Sequence, residues 1–192
     1  MFFPMIISRN QLCEFAPEAN ITSSLNLTRR SWYIGKKASV FLSHKHDEII
    51  ELKRIAKLLE KITSYLYVDW LDDSMPNKTC GETALIIKDK IKKYDKFILV
   101  ATDRAIESKW CNWELGYGDA QKFLDEKIAL FPIKQENREW SGSEYMQIYP
   151  TIEWFDGMTK NPHSLLYLPK GFYVVYNVGS KKAIPLKDWL IR

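Results

Sequence analysis

Short apolar runs alternate with amphipathic stretches along the middle of the chain. The runs show no polar alternation, which is typical of strands buried on both faces, and they cover residues 38–42, 65–69, 96–101 and 127–133. Apolar positions recur every three or four residues over 48–61 and 82–93, and a third helical stretch opens at Ser108 and continues to about Phe123. Strand and helix therefore alternate. This order predicts an α/β domain of three layers, with a central parallel sheet of about five strands and helices on both faces.

The regular pattern fades toward both ends of the chain. The first residues are predicted to form an arm that lies on the domain, with a short helix within 8–19 followed by a polar stretch. Beyond residue 133 a loop or broken helix is expected first, and then strands at 149–152 and 172–176 and a helical turn at 185–190. The predicted units are an N-terminal arm (1–36), the domain itself (37–155) and a C-terminal extension packed on the same domain (156–192).

Candidate binding residues stand where the predicted strands end. Ligands of parallel α/β sheets bind beyond the carboxyl ends of the strands. These ends carry Ser43 and His44 after the first strand and Asp69 and Trp70 after the second, and the helix that follows the third strand carries Glu114. Three separate stretches are therefore expected to converge on one edge of the sheet.

Glu114 is the leading candidate for chemistry. Trp110 and Glu114 are four residues apart, so they share one face of their helix. A carboxylate beside a large indole, near the carboxyl end of a strand, suits a site that holds a charge in apolar surroundings. Thr102 or Ser108 is expected to cap this helix, and Lys122 is expected on its outer face.

Composition narrows the class of protein. The net charge of +4 is mild and aspartates interrupt the most basic stretch, 88–96, so we interpret that stretch as a solvated helix face and expect no nucleic-acid partner. Three widely spaced cysteines without a Cys-x-x-Cys pair predict neither a disulfide framework nor a zinc site and favour a cytoplasmic protein. No stretch approaches the roughly 20 apolar residues of a membrane span, so no membrane partner is expected.

Several functions of α/β domains are excluded by individual residues. The turn after the first strand has no glycine, whereas a redox dinucleotide fold needs Gly-x-Gly-x-x-Gly there, and no Gly-Lys-Ser/Thr phosphate loop occurs. Ser43 and His44 are not acidic, so the divalent-ion site of a phospho-receiver is missing, and no Gly-x-Ser-x-Gly elbow of a hydrolase is found. His44 and His46 offer two metal ligands without an evident third, and we predict no metal site.

Three motifs, taken together, resemble one family. Residues 40–44 (Val-Phe-Leu-Ser-His) are similar to the first box of TIR (Toll/interleukin-1 receptor) domains, and residues 67–70 (Tyr-Val-Asp-Trp), with the loop that contains Pro76, are similar to their second strand and BB loop. Residues 108–115, with the pattern Ser-x-Trp-Cys-x-x-Glu-Leu, resemble the helix that carries the family's glutamate. The motifs follow the family's order over about 37–152, and the resemblance is to bacterial members, including the antiphage proteins of the Thoeris type.

The resemblance implies a flavodoxin-like fold and an enzyme that cleaves NAD+. Many bacterial members break the nicotinamide–ribose bond and release nicotinamide with ADP-ribose or with a cyclic ADP-ribose messenger. NAD+ is then a substrate rather than a cofactor, and Glu114 is the catalytic residue. The substrate-binding residues are expected at Ser43, His44, Asp69, Trp70, Asp73 and Trp110. The expected partners are other copies of the chain, through TIR–TIR contacts, and an effector protein that responds to the product in bacterial antiphage signalling.

Alternatives stay open at this stage. Other members of the family only assemble with one another, so a non-enzymatic interaction module is the alternative function. Trp110 is either a pocket wall or core packing, Ser43 and His44 either bind ribose or phosphate or only cap the next helix, and Asp73 is either a pocket edge or a solvated charge. The catalytic interpretation expects Glu114 to face a crevice open to a dinucleotide, whereas a walled-off carboxyl group favours the docking role.

Overall fold

The computed structural model describes residues 5–17, 38–60, 62–63, 65–68, 80–160, 166–178 and 182–192. The strands in these ranges are β1 (Ser39–Ser43), β2 (Tyr65–Tyr67), β3 (Lys96–Ala101), β4 (Ile128–Pro132), β5 (Thr151–Phe155), β6 (Gly171–Tyr176) and β7 (Lys182–Pro185). The helices are α1 (Arg9–Phe15), α2 (Ile49–Glu60), α3 (Gly81–Lys93), α4 (Asp103–Glu107), α5 (Lys109–Lys122) and α6 (Leu186–Leu190), and a 3₁₀ helix covers Glu144–Ile148.

The strands form one seven-stranded sheet in the order β2-β1-β3-β4-β5-β6-β7. Neighbours are parallel from β2 to β5, whereas the β5–β6 and β6–β7 pairs are antiparallel. The predicted α/β class, with a largely parallel sheet and interleaved helices, is confirmed. The two antiparallel strands, of which β6 corresponds to the strand predicted at 172–176, extend one edge of the sheet beyond its five parallel strands. β7 is absent from the predicted elements because four residues that end in proline are too few to show a period of two.

Helices cover the sheet on both faces. Because successive side chains of a strand point to opposite faces, β1 places Val40 in one core and Phe41 in the other. On what we call the α2 face, Val40 belongs to a core cluster with residues of α1, α2 and α6. On the α5 face, Phe41 and Phe97 belong to a cluster with residues of α3, α4 and α5. Every residue of β3 and β4 is buried, as the apolar residues 97–101 and 128–132 predict, and the burial includes Lys96 at the start of β3.

Both ends of the described chain pack on this same domain. Met5 exchanges backbone hydrogen bonds of 3.1 and 3.0 Å with Trp154 on β5, and Leu12 of α1 is buried in the core of the α2 face. At the other end, β6 and β7 continue the sheet and α6 buries Trp189. The unit boundaries at residues 36 and 155 stay predictions. Within the described ranges, no helix has the length and apolar character that a membrane crossing requires.

Both predicted caps are used, each by a different helix. The Thr102 side chain accepts a hydrogen bond from the backbone of Ala105 and begins α4, while the Ser108 side chain accepts one from the backbone of Cys111 and begins α5. The prediction for Lys122 is wrong, because this residue is only 8% exposed. Its ammonium group donates to the carbonyl groups of Lys92 (3.1 Å) and Tyr94 (2.6 Å) at the end of α3. These carbonyls have no partner within the helix, so a cation binds well there.

Two glycines of α5 differ in what surrounds them. A Cβ atom added at Gly118 would lie 3.0 Å from the ring of Phe97, so the helix approaches β3 closely at this point. The Phe97 ring is fully buried and stacks on Phe41 with 5.6 Å between ring centroids, which leaves it little room to move. At Gly116 a Cβ atom would meet nothing within 4 Å.

We predict opposite effects of alanine at these two positions. Gly116→Ala should raise the free energy of unfolding by about 0.5–1 kcal/mol, because alanine favours the helix. Gly118→Ala should lower it by about 1–3 kcal/mol, because the added methyl group overpacks the interface between α5 and β3. Urea denaturation followed by circular dichroism measures both variants, and equal effects would show that α5 does not depend on close packing at Gly118.

Candidate active site

The carboxyl end of β1 and the second turn of α5 meet in a buried hydrogen bond. Ser43, the last residue of β1, donates from its hydroxyl group to Oε2 of Glu114. One turn before Glu114, the thiol of Cys111 donates to the backbone carbonyl of His44 at 3.3 Å. α5 is therefore attached to the end of β1 through two of its own side chains.

His44 completes this cluster. Its side chain is buried, and its Nδ1 lies 3.4 Å from the carbonyl oxygen of Leu42. The structure thus brings Ser43, His44 and Glu114 together at the strand end, where ligands of α/β sheets bind. Their roles toward a substrate stay predictions.

Trp110 combines features of both predicted alternatives. Its ring packs against the core of the α5 face and lies 5.0 Å from the ring of Trp113, centroid to centroid. Its Nε1 atom is buried, and no group in the described residues accepts its hydrogen bond. Buried N–H groups normally donate a hydrogen bond, so this one is available to donate to a ligand. Asp69, Trp70 and Asp73 lie outside the described residues, and their predicted contacts stay predictions.

Burial of Glu114 differs from the expectation of an open crevice. The residue is only 3% exposed, because α5 packs directly on the end of β1. A buried carboxylate is costly unless hydrogen-bond donors compensate for the water it has lost, and Ser43 is one such donor. In this arrangement a dinucleotide reaches the carboxylate only if the surrounding groups move.

A second buried carboxylate lies beside the cluster and is absent from the predicted site. Glu48 is 5% exposed, accepts a hydrogen bond from the hydroxyl of Thr102, and pairs with Arg9 of α1 at 2.7 Å. Burial raises the pKa of the Glu48 carboxyl, against the opposing effects of the Thr102 hydrogen bond and the Arg9 charge. The sequence does contain one signal for Glu48: it lies five residues after Ser43, at the start of the helix that follows the strand, where a negative charge is favourable.

The segment after β4 also covers this end of the sheet. The indole of Trp140 donates to the carbonyl oxygen of Ala101, the last residue of β3, at 2.7 Å. The hydroxyl of Tyr145 donates to the side chain of Asn112 on α5 at 2.6 Å. The sequence predicted a loop or broken helix here and gave no sign of these contacts, because they join residues more than 30 positions apart.

The two histidines after β1 do not form a metal site with other described residues. The rings of His44 and His46 stack with 5.4 Å between their centroids. Within the described part of the chain, no group of three His, Cys, Asp or Glu side chains is arranged to hold a metal ion.

Comparison with known proteins identifies a family and two relatives. A family model described as the TIR domain matches residues 40–164. A protein of Bacillus cereus (strain MSX-D12) named as a probable 3' cyclic ADP-D-ribose synthase, ThsB', is 27% identical over 117 residues, which are 59% of this chain and 59% of that protein. A protein of Cytobacillus dafuensis named as a candidate cyclic ADP-D-ribose synthase, TIR2, is 27% identical over 129 residues, which are 65% of this chain and 33% of that protein. The matches thus span less than two thirds of either relative.

The Ser43–Glu114 hydrogen bond should contribute to stability. We expect Ser43→Ala to lower the free energy of unfolding by about 1–3 kcal/mol, because a buried carboxylate loses a donor that water cannot replace. Ser39→Ala, at the other end of β1, is the matched control. Ser39 bonds to the exposed carboxylate of Asp95, so its loss should cost only about 0.5–1 kcal/mol. Chemical denaturation of both variants measures the difference, and a larger cost for Ser39→Ala would contradict the prediction.

Glu48 should make stability depend on pH. Because its pKa is raised in the folded protein, the native state binds more protons than the unfolded state between pH 4.5, the ordinary pKa of a glutamate, and the raised pKa. The contribution of Glu48 is therefore fully present below pH 4.5 and is lost as pH rises through the folded pKa. Glu48→Gln removes this dependence, so the stability of the variant relative to the native chain should increase across that window.

Denaturation at a series of pH values measures this difference. Glu51→Gln, which removes the other carboxylate paired with Arg9 (3.2 Å), controls for the loss of an ion pair. A stability difference between Glu48→Gln and the native chain that stays constant across the pH window would refute the assignment.

Proposed function

The chain belongs to the TIR domain family, and on that premise we propose that it is an NAD+ hydrolase or cyclase that cleaves the nicotinamide–ribose bond. The observation that carries the proposal is the position of Glu114 at the carboxyl end of β1, hydrogen-bonded by Ser43. Glu114 stands in the motif that resembles the helix of the family's catalytic glutamate. The names of the two relatives, both of which refer to cyclic ADP-D-ribose synthesis, support the same substrate.

The chemistry requires a carboxylate near the ribose. As the bond between C1′ and the nicotinamide nitrogen breaks, its electron pair leaves with nicotinamide, which departs as a neutral molecule and needs no general acid. Positive charge develops on the ribose, as in glycoside hydrolysis. An ionised Glu114 stabilises that charge and accepts hydrogen bonds from the ribose hydroxyl groups, while Ser43 orients the carboxylate. Attack by water then gives ADP-ribose, and attack by a group within the same molecule gives a cyclic product.

Other side chains are proposed to bind the dinucleotide. The unsatisfied N–H group of Trp110 is positioned on the helix of Glu114, and His44 lies beside Ser43. Asp69, Trp70 and Asp73 join this set on the strength of the sequence motif alone. We extend the proposal to antiphage signalling in the bacterial cytoplasm, with assembly through TIR–TIR contacts and an effector protein that responds to the product.

Burial of Glu114 favours a second candidate function. A carboxylate that is 3% exposed is suited to holding α5 on β1, which a binding-only TIR module would also need. In that case the hydrogen bond to Ser43 is structural, and the protein acts by recruiting partners. The two functions differ in one measurable property, which is turnover of NAD+.

The decisive experiment is incubation of the purified protein with NAD+ and separation of the products by mass. We expect nicotinamide with ADP-ribose or a cyclic ADP-ribose from the native chain. Glu114→Gln should lower the rate on the order of a hundredfold or more, because it removes the charge that stabilises the transition state. Glu107→Gln, an exposed acid at the end of neighbouring α4, is the matched control and should retain full activity.

Protein concentration and oligomeric state should be varied in the same assay, because some TIR enzymes act only when assembled. Unchanged turnover in folded Glu114→Gln would eliminate Glu114 as the catalytic residue. If the native chain cleaves no NAD+ in either its monomeric or its assembled state, the enzymatic function is excluded and the binding-only function is supported.

A further inference from the structure

A cavity of about 430 Å³ lies on the α2 face, on the side of the sheet opposite α5 and Glu114. It lies between the end of α2 and the C-terminal part of the chain and is partly open to solvent. Its lining comes from the end of α2 (Leu58, Leu59) and from Ile62 shortly after it, from β4 and β5 (Phe131, Trp154), from 169–173 and from 185–188. The last two segments lie beyond the residues 40–164 that match the TIR family model, so the cavity depends on the extension.

The walls of this cavity are apolar and aromatic. Leu58, Leu59 and Ile62 supply an aliphatic side, and the rings of Trp154 and Phe172 meet edge to face with 4.8 Å between their centroids. The volume falls within the range of pockets that hold small molecules. A long or flat apolar group is therefore the part of a ligand that this cavity fits.

Charges at the cavity are predominantly positive. Lys170 and Lys187 both line it and are exposed, so their ammonium groups remain in water, whereas Asp188 is the single acid among the described residues of the lining. The ammonium group of Lys170 lies 5.8 Å from the centroid of the Trp154 ring, at the boundary between the charged and aromatic parts. This arrangement complements a ligand with an apolar body and one anionic end.

We propose that the cavity binds a small amphipathic carboxylate, such as a medium-chain fatty acid. The apolar body lies among the α2 side chains and the aromatic rings, and the carboxylate faces Lys170 and Lys187. This site is separate from the proposed NAD+ site, since the two lie on opposite faces of the sheet.

The test compares ligands that differ only in their end group. Decanoate, decanol and decylamine are titrated into the full chain below their micelle concentrations, with calorimetry and tryptophan fluorescence as readouts. Decanoate should bind the most tightly. The double variant Lys170→Ala/Lys187→Ala should weaken decanoate binding by about threefold to tenfold, as expected for exposed charge pairs, and leave decanol binding unchanged.

Two further variants locate the binding site. Leu58→Trp places a larger side chain in the cavity wall and should abolish binding of decanoate. Lys88→Ala, which removes a lysine of α3 on the opposite face, should bind decanoate as the native chain does. Circular dichroism verifies that each variant is folded.

Four outcomes of the binding measurements would overturn the proposal. The first two are that decanoate does not bind, and that decanoate and decylamine bind equally well. The third is that Lys88→Ala weakens decanoate binding as much as the double lysine variant does. The fourth is that folded Leu58→Trp binds decanoate as well as the native chain. Sedimentation of the native chain and Leu58→Trp tests a second copy as the occupant. Self-association that Leu58→Trp abolishes and decanoate leaves unchanged would assign the cavity to a protein contact instead. None of these readouts depends on NAD+ cleavage.

Discussion

The requirement that a buried carboxylate keep its hydrogen-bond donors determines how this protein is assembled around the end of β1. Glu114 has almost no contact with water, so Ser43 is one of the donors that compensate for its desolvation. That contact joins a strand to a helix 71 residues later and fixes the helix at one position along the strand. The thiol of Cys111, bonded to the carbonyl of His44, holds the preceding turn of the same helix.

The same arrangement occurs a second time, on the neighbouring strand and toward the other layer of helices. Thr102, which follows β3, donates to Glu48 at the start of α2, just as Ser43 donates to Glu114 on α5. β1 and β3 are adjacent and parallel, so the two hydroxyl groups end neighbouring strands. Glu48 also binds Arg9, which connects the described part of the N-terminal segment to the loop after β1.

Features that depend on local pattern were predictable from the sequence. Buried strands such as β4 lack polar residues, and the hydroxyl groups of Thr102 and Ser108 each begin a helix because they satisfy backbone donors of its first turn. The sequence also placed Ser43, His44 and Glu114 at one edge of the sheet, since parallel strands end on the same side.

Features that depend on distant contacts were not predictable. Lysine is usually a surface residue, yet Lys122 is buried because carbonyl groups at the end of α3 accept hydrogen bonds from its ammonium group. Likewise, the sequence around Trp140 does not indicate that its indole donates a hydrogen bond to the carbonyl of Ala101 on β3. Glu114 is buried, and Glu48 pairs with Thr102 and Arg9, because helices of both layers pack against the strand ends. The spacing of apolar residues in the sequence gives no information about this packing.

The position of α2 has a mechanical consequence for the whole domain. Its first turn adjoins Glu48 and the loop that carries His44, and its last turn forms one wall of the cavity on the same face. A helix of 12 residues is a stiff rod of roughly 18 Å. A ligand in the cavity that displaced the last turn of α2 would therefore move the loop after β1 through the helix itself, without a change in the sheet.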